Sequence, residues 1–132
     1  MYMLDTNICI YLINEKSEDL ALKIATIPNE QICISAITHA ELEFGVAKSQ
    51  RPDKNIRALT KFLATITVLP FDSKASEQYG IIRASLERVG QVIGQMDMLI
   101  AAHAKSNNFT VVTNNVKEFE RVHNLKIEDW TI

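Results

Sequence analysis

The segment MYMLDTNICIYL, residues 1–12, places a polar triplet between two short apolar runs. Residues 2–4 form a candidate strand, and the spacing of Ile8, Tyr11 and Leu12 predicts a helix directly after the triplet. Asp5 stands at the junction. An Asp at such a junction usually caps the helix, but the end of a buried strand is also where α/β proteins bind ligands. This segment alone allows both roles.

Short strand-like runs alternate with helical patterns along the rest of the chain. The predicted strands are YML (2–4), QICIS (31–35), ITVLP (66–70), FTVVT (109–113) and a fifth within LKIEDW (125–130). After the first helix, further helices are predicted over residues 18–27, 36–48, 54–65, 73–89 and 95–106. This alternation predicts an α/β fold with a central, mainly parallel sheet and helices on both faces.

Composition fits an ordinary globular domain. The chain has 132 residues, 47% apolar and 23% charged, which predicts one domain over residues 1–132. We find no apolar run of membrane-spanning length and no signal-peptide pattern, so we expect a cytoplasmic protein. Cys9 and Cys33 lie in apolar runs and are expected to be buried thiols. The net charge of −2 means that nucleic-acid binding would need a local basic patch or metal ions.

Three carboxylates lie where the predicted elements bring strand and helix ends together. Asp5 follows the first strand, Glu41 lies in the helix after the second, and Asp97 lies in the first turn of an apolar helix. Ala40, Phe44 and Ala47 form one stripe, which predicts the buried face of this helix, and Glu41 lies closer to that face than Glu43. Capping and the helix dipole remain the alternative explanations for Asp5 and Asp97.

Several other chemistries are excluded by spacing. The three histidines, at 39, 103 and 123, do not have zinc-ligand spacing with another His or Cys. Gly90 and Gly94 match no phosphate-binding loop, and no Ser lies in a nucleophile elbow. Carboxylates acting with a hard metal ion are the chemistry that remains.

Four motifs occur in a fixed order: MLDTNICIYL, ISAITHAELEFG, IGQMDMLIAAHA and VVTNNVKEFE. Together they resemble the PIN-domain ribonucleases, most closely the VapC toxins of type II toxin–antitoxin pairs. The resemblance implies a three-layer α/β/α sandwich whose acidic pocket binds Mg²⁺ or Mn²⁺ and cuts RNA, with tRNA as the expected substrate. It also implies a VapB-type antitoxin, a homodimer, operator DNA bound only through the antitoxin, and no membrane.

The resemblance assigns roles residue by residue. Asp5, Glu41 and Asp97 match the three firmest acidic positions and are the expected metal ligands. Thr6 and Asn7 match the polar pair after the first Asp, and Thr113 matches a hydroxyl position that lines the pocket. The fourth acidic position departs from the family. Many relatives carry Asp near the position of Asn115, so we predict that Glu118, one helical turn later, supplies this carboxylate while Asn115 supports it.

Two other functions stay open from the sequence. A metal-dependent phosphatase would use Asp5 as nucleophile, although no second acid follows two residues later. A non-catalytic, partner-binding domain would keep the acidic pocket without cutting RNA. For the antitoxin, we expect an inserted Arg or Lys together with apolar residues along the helices near Glu41 and before Phe62. Candidate RNA-binding cations are Lys48, Arg51, Arg83, Arg88, Lys105, Lys117 and Arg121.

Overall fold

Five parallel strands form the centre of the computed structural model, which describes residues 1–132. They are β1 (Tyr2–Leu4), β2 (Ile32–Ser35), β3 (Thr67–Leu69), β4 (Thr110–Val112) and β5 (Lys126–Glu128). The order across the sheet is β3-β2-β1-β4-β5. The chain therefore builds outward in one direction from β1 to β3 and in the other through β4 to β5. This places the switch in strand order between β1 and β4.

Seven helices connect and cover the strands. They are α1 (Thr6–Ile13), α2 (Glu18–Ala25), α3 (Ala36–Ala47), α4 (Pro52–Leu63), α5 (Ser73–Arg88), α6 (Gln95–Ser106) and α7 (Val116–Phe119). Side-chain oxygens of Asp5, Ser17, Ser35 and Asp72 accept backbone N–H bonds at the starts of α1, α2, α3 and α5. These caps satisfy N–H groups that have no partner within the helix.

Alternate side chains of the strands enter two hydrophobic clusters, one on each face of the sheet. Met3 and Val111 pack with α5, α6 and α7, whereas Leu4 and Val112 pack with α1 to α4. The period of two along each strand explains this division. The α/β/α sandwich predicted from the sequence is confirmed, and the sheet is parallel throughout. No helix combines the length and apolar character needed to cross a membrane.

Two predicted helix boundaries were displaced by prolines. The fourth helix begins at Pro52 instead of residue 54, because proline suits the first turn, where no N–H partner is needed. The second helix ends at Ala25 instead of residue 27, because Pro28 disfavours helical geometry in the residue before it. Buried thiols at Cys9 and Cys33 are confirmed.

The buried side of α3 was predicted wrongly. Ala40, Phe44 and Ala47 are exposed, Phe44 by 65%, whereas Thr38 and Leu42 face the core. The apolar stripe of two alanines and one phenylalanine did not identify the buried face. The helix packs against two strands and three other helices (α1, α4 and α6), so small polar residues such as Thr38 are buried as well. Glu41 is nonetheless half-buried and Glu43 exposed, as expected.

Candidate active site

The site lies at the carboxyl edge of the sheet, at the switch in strand order. Asp5 follows β1 and Thr113 follows β4, and these two strands are neighbours. The Asp5 N–H donates to the Val112 carbonyl at 3.0 Å, which continues the sheet bonding to its last residue. Ligands of open α/β sheets bind beyond this edge.

Asp5 is a helix cap and a buried acid at the same time. Its Oδ1 accepts the Ile8 N–H at 3.0 Å, and the side chain is 3% exposed. Burial raises the pKa of Asp5 to about 6, opposed by hydrogen bonds from Thr113 and the Ile8 N–H. The negative charges of Glu41 and Asp129 raise this pKa further. Capping alone would not require burial among other acids.

Glu41 is brought to the site by α3 and held there by α1. The Thr6 hydroxyl donates to Glu41 Oε1 at 2.5 Å, and the same hydroxyl oxygen lies 3.3 Å from Thr38 Oγ1. The polar residue directly after Asp5 therefore orients a second carboxylate from a different helix.

The pKa of Asp97 responds to the charges of the other three predicted acids. It lies in the first turn of α6, and burial raises its pKa to about 6. The charges of Glu118, Asp5 and Glu41 add to this increase, in that order. The three other predicted carboxylates are therefore close enough to Asp97 to change its pKa.

Glu118 is fixed next to Asp97 by two donors. Its Oε1 accepts the Gly94 N–H at 2.9 Å, and Asn115 Nδ2 donates to Oε2. These bonds, helped by the charge of Arg121, lower the pKa of Glu118. Glu118 forms no salt bridge with Lys117 or Arg121. The short helix α7 places it on the same side as Asn115, as the spacing predicted.

The supporting residues differ in how closely they join the site. Thr113 is fully buried, and its Oγ1 accepts the Asn115 N–H at 2.9 Å in addition to the hydroxyl's bond with Asp5. Asn7 is exposed in the first turn of α1. The catalytic and metal-binding roles of all these residues stay predictions.

Two residues of the site were missed from the sequence. Asp129 follows β5 at the same sheet edge and raises the pKa of Asp5. The rule that selected Asp5, an acid at the end of a strand, applies to Asp129 as well. Gly94 supplies the N–H for Glu118, and a Cβ on it would lie 3.5 Å from Asp97 Oδ2 and 3.7 Å from Glu118 Oε1. No side-chain signal marks a backbone donor, so only its position before α6 hinted at this role.

Three of the candidate RNA-binding cations make contacts of their own in the structure. Lys105 Nζ donates to the His123 carbonyl at 2.6 Å, and Lys48 lies over the exposed Phe44 ring. Arg121 donates to the Val92 carbonyl at 3.3 Å and is the cation whose charge acts on Glu118. Trp130 packs against Tyr2 in the core.

The donor chemistry of the site fits a hard divalent cation. Carboxylate and hydroxyl oxygens are the ligands that Mg²⁺ and Mn²⁺ take, and a cation would relieve the repulsion that raises the pKa values of Asp5 and Asp97. The structure contains no group of three or more His, Cys, Asp or Glu side chains already arranged around one ion position. The acids approach one another without forming a closed ligand set, as like charges do.

The chain is similar to known proteins over almost its whole length. Residues 2–125 match the family model described as PIN domain. The chain is similar to "Ribonuclease VapC2" of Rickettsia felis, with 44% identity over 98% of both chains. It is also similar to "tRNA(fMet)-specific endonuclease VapC" of Shigella flexneri, with 42% identity over 98% of both.

Solved structures give the same result. The fold matches VapBC2 from Rickettsia felis, crystallised with a DNA fragment of its promoter, with a TM-score of 0.92 and 42% identity over 98% of each chain. It matches DNA-bound VapBC from Salmonella typhimurium with a TM-score of 0.93 and 42% identity, over 98% of this chain and 97% of that one.

Proposed function

This chain belongs to the VapC ribonucleases of the PIN-domain family, and from this premise we propose that it is the toxin of a type II toxin–antitoxin pair that hydrolyses tRNA. One observation supports the proposed site most strongly. Four carboxylates come together at the switch in strand order, since the charges of Asp5, Glu41 and Glu118 all act on Asp97. Since the relatives are named ribonucleases, the phosphatase alternative is not favoured.

PIN-domain nucleases generally use divalent metal ions, and we propose Mg²⁺ or Mn²⁺ for this protein. Asp5, Glu41 and Asp97 would hold the ion directly, and Glu118 would act mainly through water. When bound, such an ion supplies positive charge for the phosphate and acidifies a water molecule. Oxygen donors on three separate helices and a strand end support this assignment.

The side chains of the protein set up the hydrolysis around that ion. Glu118 has a lowered pKa and stays ionised, so it can orient the hydrogen of an attacking water molecule. Thr6 holds the carboxylate of Glu41, and Thr113 holds Asp5 from the neighbouring strand. The water oxygen forms the new bond to phosphorus and gives one proton to solvent, the bond from phosphorus to the leaving ribose oxygen breaks, and that oxygen takes a proton from solvent.

The relatives' names suggest the substrate to test first. Two are named as endonucleases specific for tRNA(fMet), so initiator tRNA is our proposed substrate. Partner-free protein would be incubated with total RNA and with synthetic initiator tRNA, in Mn²⁺, Mg²⁺ or EDTA, and new ends would be mapped. We expect defined cuts that require metal and are absent with an Asp5→Asn/Asp97→Asn protein.

The same assay separates the alternatives. Cleavage that persists in the double variant would assign the activity to a contaminant and contradict the proposal. No cleavage by wild-type protein with Mn²⁺ would favour the partner-binding alternative. A trapped phosphate ester on Asp5, formed with a small phosphomonoester, would favour the phosphatase.

We propose a VapB-type antitoxin as the partner, as in the VapBC structures. A groove of about 460 Å³ lies between α1, α3 and α4, with Ile10, Leu42 and Leu59 among its apolar residues and Glu41 in its lining. An apolar antitoxin segment in this groove would place an Arg or Lys beside Glu41. Operator DNA would be bound through the antitoxin.

Three further assignments are proposals of the same kind. We take residues 1–132 as a single PIN domain, supported by one sheet with a hydrophobic cluster on each face.

A homodimer would cover apolar side chains exposed on α5 and after it, namely Ile81, Val89, Val92 and Met96. Light scattering at several concentrations tests this. A tRNA substrate would place the protein in the cytoplasm.

A further inference from the structure

His103 is a buried, ionisable side chain with no role in the proposed hydrolysis. It lies on α6, is 1% exposed, and its Nδ1 is 2.7 Å from Ser35 Oγ. Ser35 is the N-cap of α3, where its Oγ also accepts the Ile37 N–H at 3.1 Å. One buried hydrogen bond therefore joins α6 to the N-cap residue of α3, which is also the last residue of β2.

The imidazole has little freedom to leave this position. The Phe71 ring meets it edge to face, with the ring centroids 5.4 Å apart. Burial lowers the pKa of His103, opposed by the charge of Asp72, so the ring is neutral near pH 7. In one tautomer of the neutral imidazole, Nδ1–H donates to Ser35 Oγ; in the other, the Ser35 hydroxyl donates to Nδ1. Either arrangement is a directed hydrogen bond.

The positions of the carboxylates relative to this bond are similar on the two helices. Glu41 lies six residues after Ser35, and Asp97 lies six residues before His103. At 1.5 Å per residue, each acid is roughly 9 Å along its helix from the bond. The helices contact each other, and the charge of Glu41 reaches Asp97. The hydrogen bond between Ser35 and His103 thus joins the two helices. The like charges of Glu41 and Asp97 each lie six residues from that bond along their own helix.

We propose that Ser35 and His103 are positioning residues that fix the spacing of Glu41 and Asp97 in the active site. Without metal, repulsion between the carboxylates favours separation of α3 and α6, and the buried bond opposes it. The proposal rests on the ribonuclease function, because the spacing matters only where both acids serve one reaction.

The test compares His103→Leu, which removes the bond at similar volume, with His103→Asn, whose amide occupies the place of Nδ1. We expect His103→Leu to lower kcat for RNA cleavage by about tenfold or more, as lost outer-shell support does, with KM changed less than about threefold. His103→Asn should recover most of kcat. Ile82→Ala is the control, since it removes buried volume from the hydrophobic cluster that contains Ala102 and Ala104, on either side of His103, without touching the bond.

Ser35→Gly provides an independent variant if His103→Leu does not fold. Glycine is nearly as good an N-cap as serine and removes the hydroxymethyl group that bonds to His103, so the same loss of kcat is expected. Unchanged kcat in the folded variants would overturn the proposal. Equal losses in His103→Leu, His103→Asn and Ile82→Ala would also overturn it, by showing that general destabilisation is the cause.

A structural readout separates this proposal from the proposed function. Metal-free crystal structures of wild-type and His103→Leu protein would be compared by the Cα separation of Glu41 and Asp97, which should increase in the variant. An increase supports the positioning role even if wild-type protein cuts no RNA. An unchanged separation overturns it, even if RNA cleavage is established.

Discussion

Asp5 fulfils two requirements with one carboxyl group. It caps α1 through Ile8 and lies buried between Thr113 and the other acids. Because a cap needs only an acceptor oxygen, asparagine can replace it there. Asparagine should therefore keep the cap while removing the buried negative charge. A substitution at this position can thus abolish catalysis without unfolding the protein.

Asp5→Asn and Asp97→Asn should each abolish cleavage of RNA while leaving the metal-free protein equally or more stable. Each change removes one of the repelling charges that raise these pKa values. The measurements are RNA cleavage with Mn²⁺ and thermal unfolding in EDTA. Asp19→Asn, in the exposed first turn of α2, is the control and should keep full activity. Wild-type turnover by Asp5→Asn would leave only its capping role.

Glu118→Gln should weaken Mn²⁺-dependent cleavage by about tenfold or more, and Asn115→Ala should cost less. The glutamine keeps the contact with the Gly94 N–H but loses the charge next to Asp97. Exposed Glu120→Gln is the neighbouring control. The rate would be measured across Mn²⁺ concentrations. An unchanged rate and metal dependence in Glu118→Gln would show that three acids suffice or that Asn115 fills the fourth role.

At the scale of elements, α3 links the active site to the proposed antitoxin groove. Its buried side carries Thr38 and Leu42, and Glu41 lies at the border where the groove reaches the site. Because one carboxylate is shared by both surfaces, a partner in the groove would block the site without covering all of it.

Ala58→Glu, within the groove on α4, should weaken antitoxin binding by at least tenfold and leave RNA cleavage by the free protein unchanged. A charge among Ile10, Leu42 and Leu59 that a bound partner would cover is costly to desolvate, even with Lys54 in the same lining, whereas Asp5 and Asp97 are not touched. Calorimetry with the cognate antitoxin measures the first effect. Ala84→Glu, exposed on α5, is the matched control. Equal affinity for both variants would place the antitoxin elsewhere.

At the scale of the whole molecule, the sheet gathers acids from distant parts of the sequence. The switch between β1 and β4 places the amino-terminal Asp5 beside Thr113 and close enough to Asp97 for its charge to raise the pKa of Asp97. The metal-free protein therefore carries an unfavourable charge cluster in its native state, and pH changes its stability.

Metal-free stability of the wild type relative to Asp5→Asn should fall as pH rises. The native pKa of Asp5 is about 6, against an ordinary 3.8, so the folded state holds this proton between those values and the unfolded state does not. The free-energy difference between the proteins should be small at pH 4 and reach about 2–3 kcal/mol at pH 7. Urea unfolding in EDTA measures it. His103 and Glu118 titrate in both proteins and cancel. Asp97 loses the charge of Asp5 in the variant, which changes the difference in the same direction. A difference independent of pH would contradict the raised pKa.

The sequence by itself determined the fold class, the order of the strands along the chain and the acids to examine. The periodicities of two and of 3.6, the N-caps and the prolines are local properties, so they can be read without coordinates. The four motifs identified the family because their order and spacing survive in the chain.

Only the tertiary structure decided which groups meet. The exposure of Phe44, the charge of Asp129 near Asp5, the Gly94 N–H on Glu118 and the bond between Ser35 and His103 depend on how the elements pack. These contacts join residues up to 124 positions apart, and the backbone donor has no side chain to mark it. Burial and electrostatic fields are sums over neighbours in space, and no local pattern in the sequence contains those neighbours.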